Sequence, residues 1–253
     1  MSDLLNSTPQ PDPPDDRQQI EKLETETLPR RRFLNLAGAG VLTIGFGSLV
    51  EEFVGKLAEP INERVESLIF RPQQLIPEFP VSAIEPDKLI VNSFRFTPML
   101  DPIAYRLTID GAVQNPLSLS MADLQALPLV EMVIRHVCVE GWAAIVQWGG
   151  VRLRDLVAIA QPKPSAKYVY FYSADGYYES WDLDSAIHLQ TLMAYTKNGE
   201  TLAPANGAPL RLASPIKLGY KLSKWVTRIE LTESLASKRG YWEDLGYEWY
   251  AGL

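Results

Sequence analysis

The chain has 253 residues, of which 46% are hydrophobic and 22% are charged, and its formal net charge is −7. This is the composition of an ordinary globular protein, with room for one large domain or two small ones. Seven acidic and two basic residues lie in 1–29, so the rest of the chain is nearly neutral. A nearly neutral domain argues against a nucleic-acid partner, because phosphate contacts require a basic face.

Residues 1–29 are rich in Pro, Asp, Gln, Thr and Ser and show no apolar periodicity, which predicts a disordered acidic tail. Residues 30–50 begin with three arginines followed by Phe-Leu, and they continue in an uncharged, mostly apolar run over 36–50. That run is shorter than the roughly 20 residues that a membrane-spanning helix requires.

The pattern over 30–50 is typical of a twin-arginine export signal. An amphipathic surface helix is the alternative, but the run is apolar all round rather than on one face. No clean small-x-small cleavage motif follows in 51–59. We therefore predict export by the twin-arginine route, to give a protein that is periplasmic or tethered to the membrane by an uncleaved signal.

Residues 51–85 are predicted to connect this signal or anchor to the folded part of the chain. Apolar residues recur at helical spacing over 51–70, which predicts an amphipathic linker helix. Pro72, Pro77 and Pro80 then interrupt regular structure. The remaining residues, 86–253, are predicted to form one domain.

The predicted elements of this domain are short, and they lack the regular strand-helix-strand alternation of a parallel sheet. Mixed short strands and helices of this kind predict an α+β fold. A helix is predicted over 120–127, with Ser120 as its N-cap and Asp123 at its third position. Other helices are predicted over 151–160 and 182–186, and strands over 105–111, 130–139, 167–173, 210–213 and 225–231.

Cys138 is the only cysteine of the chain, so it can form neither an internal disulfide nor a site with several thiolates. Three interpretations remain. It is a small buried hydrophobic residue, as free cysteines commonly are, a redox-active thiol, or the single thiolate ligand of a transition metal whose other ligands come from a cofactor. A redox thiol requires a lowered thiol pKa and usually a second cysteine to resolve it.

Three short blocks follow one another along the chain: Cys-Val-Glu-Gly-Trp over 138–142, Asn-Gly-Ala-Pro-Leu-Arg over 206–211, and Lys-Leu-Gly-Tyr-Lys-Leu-Ser-Lys over 217–224. In this order they resemble the molybdopterin-binding domain of the sulfite oxidase family. The resemblance covers roughly 86–250. It is strongest to the single-domain bacterial branch, which includes methionine-sulfoxide reductases.

The resemblance implies that Cys138 is the thiolate ligand of molybdenum in a Mo-molybdopterin cofactor. Ser173 stands where a relative has threonine, so the hydroxyl is retained. The residues that the resemblance implies for cofactor binding are Asn92, Phe94, Arg95, Ser173, Asn206, Arg211, Leu222, Ser223 and Lys224.

The residue types support this interpretation, because arginine and lysine suit a phosphate tail and asparagine suits the edge of a pterin ring. Four cations lie within 14 residues: Arg211, Lys217, Lys221 and Lys224. A solvated basic face is the alternative. Proline and glycine interrupt any helix there, which favours a loop around an anion.

Both histidines of the chain and one tryptophan near the proposed ligand need separate interpretations. His136 lies two residues before Cys138, which in a strand places both on one face. It either hydrogen-bonds the cofactor or is a satisfied core histidine. Trp142 is predicted to wall the substrate site, and His188 is interpreted as structural.

The charge around Cys138 indicates the charge of the substrate. Sulfite oxidases of the resembling family carry arginines just after the ligand, where Ala143 and Ala144 stand here. Glu140 repels a sulfite dianion by about 1–4 kcal/mol at about 4 Å, whereas a neutral sulfoxide is indifferent to its charge. We therefore predict an oxygen-atom-transferring reductase of a neutral S-oxide such as methionine sulfoxide, free or protein-bound, with Cys138 and Glu140 as catalytic residues.

Two alternatives stay open, oxidation of a small sulfur anion and a non-catalytic relative that retains the fold. The chain contains no Cys-x-x-Cys-His haem motif, so electrons must come from another molecule. The resemblance implies a membrane haem subunit as the electron donor.

Overall fold

The computed structural model describes residues 74–253. The tail, the signal or anchor and the linker helix predicted before residue 74 lie outside the described residues. Residues 74–85, which the sequence assigns to the linker, are hydrogen-bonded to the domain: Phe79 N donates to Val133 O (2.9 Å) and Glu85 N to Ile145 O (2.9 Å). Within the described residues, no helix is both long and apolar enough to cross a membrane.

One sheet has five strands, β1 (Leu107–Gly111), β2 (Leu117–Leu119), β5 (Tyr168–Ser173), β6 (Tyr178–Asp182) and β10 (Val226–Thr232). Their spatial order is β2-β1-β10-β5-β6. β1 and β10 run parallel, and the other neighbours are antiparallel. Alternate residues of β1 are buried, as expected for a strand with one face toward a core.

The strands of the second sheet are β3 (Val130–Val137), β4 (Ala143–Arg152), β7 (Leu192–Lys197), β8 (Glu200–Thr201) and β9 (Arg211–Ala213). Their spatial order is β3-β4-β7-β8, with β9 paired to β7. β3 and β4 form a long antiparallel hairpin whose last pair is Val137 with Ala143, so residues 138–142 are its turn.

Three short helices complete the domain, α1 (Met121–Gln125), α2 (Leu153–Ala160) and α3 (Leu183–Ala186), together with 3-10 turns at Val81–Ala83, Pro204–Asn206, Gly219–Lys221 and Glu243–Leu245. The predicted N-cap of α1 is confirmed, because Ser120 and Asp123 form a capping box. The predicted start of α2 at residue 151 is wrong. Val151 and Arg152 pair with β7, so the helix begins at Leu153.

The predicted α+β class is confirmed, since two largely antiparallel sheets carry only short helices. Two buried apolar clusters support the sheets, one centred on the first sheet with α2 and the other between β3, β4 and β7. The sequence did not predict β2, β4, β6, β7 or β8. The strand predicted over 130–139 ends at Val137, which places Cys138 in the hairpin turn.

Candidate active site

A cleft lies where the β3–β4 turn meets the segments around residues 92, 206, 222 and 242. It consists of a first lobe of about 190 Å³ and a second lobe of about 500 Å³. The lobes adjoin, because both are lined by Asn92, Glu140, Leu222, Lys224 and Trp242. Cys138 and His136 line the first lobe, while Ser223 and Phe94 line the second.

Cys138 is placed in the cleft by a tight turn. Its backbone N–H donates to Trp142 O (2.9 Å), and Gly141 N donates to Cys138 O (3.1 Å). Its Sγ is half-buried and lines the first lobe, so the interpretation of Cys138 as a core hydrophobic residue is wrong. Burial, together with the nearby carboxylate of Glu140, raises the pKa of the thiol. A raised thiol pKa disfavours the redox-thiol interpretation, which requires a lowered one.

Glu140 is fixed beside Cys138 by two donors. Trp142 Nε1 donates to Glu140 Oε2 (3.0 Å), and Asn92 Nδ2 donates to the same oxygen (2.9 Å). These hydrogen bonds lower the pKa of Glu140, so its carboxylate is ionised at neutral pH. The Sγ of Cys138 lies 3.6 Å from Oε2. A fixed negative charge therefore borders the sulfur.

His136 is buried on the floor of the first lobe. Burial, with a smaller effect of Arg211 and Lys224, lowers its pKa to about 3, so the imidazole is neutral. Its ring stacks on Trp142 at 5.8 Å between ring centroids. Its Nδ1 is buried without a hydrogen-bond partner. The unpaired nitrogen favours the alternative in which His136 hydrogen-bonds the cofactor over the satisfied core histidine.

Arg211 and Lys224 place two cations on the cleft wall. Arg211 is only 4% exposed, and its guanidinium donates to Asn206 O (3.0 Å) and Leu222 O (3.5 Å). Lys224 Nζ donates to the carbonyl oxygens of Ala205 (3.1 Å) and Asn92. Burial lowers the pKa of Arg211 to about 9, and burial together with Arg211 lowers that of Lys224 to about 7. A bound anion would stabilise both charged forms.

Gly207 allows these two cations to approach each other. Its φ is +108°, and a Cβ there would lie 3.0 Å from the Cβ atoms of both Arg211 and Lys224. Neither cation forms a salt bridge with a carboxylate among residues 74–253. The Asn206-Gly207 turn thus builds a cationic wall. No ion pair among the described residues neutralises it, and Asp175 acts on Lys224 only as a nearby negative charge.

Lys217 and Lys221 do not join this wall, so the prediction that all four cations surround an anion is wrong for these two. Lys217 Nζ lies 3.6 Å from Asp182 Oδ2, and Lys221 Nζ forms ion pairs with Glu179 and Glu243. Both lysine side chains are buried. Their charges are balanced by carboxylates that the sequence places far from them along the chain.

The other predicted cofactor residues lie at or near the cleft. Ser223 Oγ and Ser173 Oγ are buried without hydrogen-bond partners, but only Ser223 lines a lobe. Arg95 lies over the Phe94 ring, 4.8 Å from its centroid, and is not among the lining residues. The following residues line the lobes but were not predicted from the sequence: Asp175, Tyr177, Tyr220, Tyr241, Trp242 and Tyr247.

The cleft fits a group that brings most of its own metal ligands and an anionic tail. Within the described residues no cluster of three or more His, Cys, Asp or Glu side chains is arranged to hold a metal ion, so the protein offers one thiolate. His136 Nδ1 and Ser223 Oγ are buried polar atoms without hydrogen-bond partners among the described residues, and such atoms are normally satisfied. Arg211 and Lys224 suit a phosphate.

Residues 95–242 match the family model described as the oxidoreductase molybdopterin binding domain. The chain belongs to this family. The family identifies the protein as an oxidoreductase with Mo-molybdopterin as its cofactor, and it confirms the sulfite-oxidase-type fold that the three sequence blocks predict.

Similar proteins act on sulfur compounds according to their names. One from Azospira oryzae, named as a candidate protein-methionine-sulfoxide reductase subunit YedZ1, is 35% identical over 233 residues, 88% of this chain and 86% of that protein. The protein-methionine-sulfoxide reductase catalytic subunit MsrP of Campylobacter jejuni is 34% identical over 169 residues, 59% of this chain and 56% of that protein.

Among solved structures, the sulfane dehydrogenase SoxCD of Paracoccus pantotrophus is similar to this chain, with a TM-score of 0.53 and 26% identity. The match covers 56% of this chain and 41% of that one. The likeness supports a shared fold for the cofactor domain, while the uncovered majority of the SoxCD chain has no counterpart in the match.

Proposed function

We propose that this protein is a molybdenum-dependent reductase that removes the oxygen atom from a neutral S-oxide such as methionine sulfoxide, free or within a polypeptide. The observation that carries the proposal is the ionised Glu140 carboxylate, held by Asn92 and Trp142 within 3.6 Å of the Cys138 sulfur. The names of the similar proteins from Azospira oryzae and Campylobacter jejuni support the same substrate class.

The chain's own residues divide the work of holding the cofactor. Cys138 would supply the thiolate, Arg211 and Lys224 would hold the anionic tail, and Ser223 and His136 would hydrogen-bond polar edges of the cofactor. The bound cofactor supplies two-electron oxygen-atom transfer. Trp142, Trp242 and Tyr247 line the first lobe, where they displace water and form an apolar wall for the substituents of a sulfoxide sulfur.

The charge distribution favours a neutral substrate over sulfite. A dianion placed beside the Glu140 carboxylate is repelled by its like charge. The two cations that line the cleft are already oriented toward backbone carbonyls on its wall. No other lysine or arginine lines either lobe. A neutral sulfoxide does not experience this repulsion, so the site discriminates by charge.

Steady-state assays on holoprotein from a host that makes the cofactor test the proposal. We expect turnover of methionine sulfoxide with a reduced viologen dye as electron donor, and little oxidation of sulfite with ferricyanide as acceptor. Rapid sulfite oxidation without sulfoxide turnover would establish the alternative, oxidation of a small sulfur anion. Fully matured protein without molybdenum would establish a non-catalytic relative.

Replacement of Glu140 by glutamine tests the charge argument directly. Removing the negative charge is expected to lower the inhibition constant of sulfite about tenfold, because the like-charge repulsion of the dianion is removed. Glu131→Gln is the control, because Glu131 is an exposed glutamate at the opposite end of the same hairpin. Equal sulfite inhibition in Glu140→Gln and the wild type, at equal molybdenum content, would refute the charge argument.

We further propose that the protein is exported through the twin-arginine route, to be periplasmic or membrane-tethered, and that it receives electrons from a membrane haem subunit. The arginine pair Arg30 and Arg31 before an apolar run supports the first part. The word subunit in the names of both relatives supports a partner protein as the electron donor.

The double variant Arg30→Lys, Arg31→Lys tests the export route. It is expected to stay in the cytoplasm, as measured by cell fractionation, and unchanged export would contradict the twin-arginine route.

A further inference from the structure

A buried group of three ionisable side chains lies behind the cleft wall. The ammonium of Lys221 forms ion pairs with Glu179 and Glu243 and donates to Ser180 O (3.0 Å). The side chains of Lys221 and Glu179 are 0% exposed and that of Glu243 is 2% exposed. Burial raises the pKa of Glu179 well above its ordinary range, and Lys221 opposes this effect.

The three residues join separate parts of the chain. Glu179 belongs to β6, Lys221 ends the Gly219–Lys221 turn, and Glu243 begins the Glu243–Leu245 turn. The sequence neighbours of Lys221 and Glu243 line the cleft: Tyr220, Leu222 and Trp242. The ion pairs therefore tie two stretches of cleft wall to the first sheet.

Trp242 is the part of this wall that directly precedes Glu243 in the chain. It lines both lobes, and it packs at 5.3 Å from Tyr241 and 5.0 Å from Tyr247 between ring centroids. Gly240, two residues before Trp242, has no room for a side chain, because a Cβ there would overlap the Glu243 carboxylate. The absence of a side chain at Gly240 thus leaves room for the Glu243 carboxylate, which binds Lys221.

We propose that Lys221 is a positioning residue, which holds Trp242 in place as a wall of the substrate cleft by binding Glu243. The inference rests on the proposed function, since it takes the first lobe as the place where the sulfoxide binds. Removing the ammonium leaves Glu179 and Glu243 buried against each other without a cation, and buried carboxyl groups that lose their counter-charge are strongly unfavourable. The segment 240–247 must then shift toward water, and Trp242 shifts with it.

Lys217 provides a matched control. It is also a buried lysine, it is paired with Asp182, and it donates to Tyr250 O (2.6 Å). It lines neither lobe of the cleft. Lys217→Met therefore removes a buried ammonium from the same stretch of chain without removing the tie to Trp242.

Holoenzyme kinetics separate positioning from general stability. Lys221→Met is expected to raise the KM for methionine sulfoxide about tenfold, with kcat within about twofold of wild type and molybdenum content unchanged, because the substrate wall moves while the metal ligand stays. Lys217→Met is expected to leave KM unchanged.

A double variant tests whether the two residues act together. In a Trp242→Ala background, Lys221→Met is expected to add no further rise in KM, since the two changes act on one wall. Additive effects, or an equal KM rise in both lysine variants, would overturn the inference.

A second measurement needs no turnover and separates this inference from the proposed function. The chain has six tryptophans, so 5-fluorotryptophan labelling gives resolvable fluorine resonances, and Trp242→Phe assigns the one of interest. That resonance is expected to shift in Lys221→Met and in Glu243→Gln, which serves if the lysine variant fails to fold, and to stay in Lys217→Met. An unmoved resonance in the folded variants refutes the positioning role. A wild type without sulfoxide turnover refutes only the proposed function.

Discussion

Replacement of Cys138 by serine is expected to lower sulfoxide turnover by at least about a thousandfold, beyond the 10–100-fold typical for loss of an outer partner of a metal ligand. The chain has no second cysteine to take over, and a serine hydroxyl is a harder, far less acidic ligand than a thiol. The measurement is steady-state reduction of methionine sulfoxide with wild type and variant matured in the same host.

Separate assays for pterin and molybdenum show which function was lost. The pterin content of Cys138→Ser is expected to stay near that of the wild type, because the cationic wall of Arg211 and Lys224 is untouched. Molybdenum content is expected to fall. A Cys138→Ser protein that retains more than a tenth of wild-type turnover would show that the thiolate is not the ligand on which the reaction depends.

Replacement of Arg211 by methionine is expected to yield protein with less than about a tenth of the wild-type pterin. The variant loses one of two cations on the wall and leaves the carbonyls of Asn206 and Leu222 without their donor, at about 1–3 kcal/mol for each unsatisfied group. Methionine keeps much of the packing against the Trp148 ring, which lies 4.4 Å from the guanidinium carbon.

Arg228→Met is the matched control for the arginine change. Arg228 pairs with Asp110 (2.9 Å) on the first sheet, is 40% exposed at its side chain, and lines neither lobe. An exposed pair contributes about 0–1 kcal/mol, so pterin content is expected to be unchanged. Urea unfolding of both cofactor-free variants measures the stability loss separately. Wild-type pterin content in Arg211→Met would refute its role in binding the anionic tail.

Local sequence signals predicted the elements whose chemistry is local. Ser120 and Asp123 predicted the α1 cap correctly, because a capping box is made by residues three apart. β7 and β4 were not predicted. The first four residues of β7 are buried in succession, so the strand shows no alternation, and Gly149 and Gly150 within β4 are residues that strands disfavour.

The same distinction applies to the site. Cys138, Asn206 and Arg211 could be predicted because they belong to short blocks that resemble a known family. Trp242 could not, because its place in the cleft depends on the C-terminal segment folding back onto the turn at 219–221. The wrong interpretation of Lys221 has the same cause, since its partners Glu179 and Glu243 are distant in sequence.

The proposed metal ligand, Cys138, and the proposed charge selector, Glu140, occupy one five-residue turn, 138–142, between the two longest described strands. The cations that suit the cofactor's tail come from other parts of the chain. On this proposal the preference for substrate charge is encoded in the hairpin turn, which is therefore a natural place for retargeting the enzyme. Exchanging the residues around Cys138 for basic ones would convert a repulsive entrance into an attractive one while leaving the anchorage of the cofactor intact.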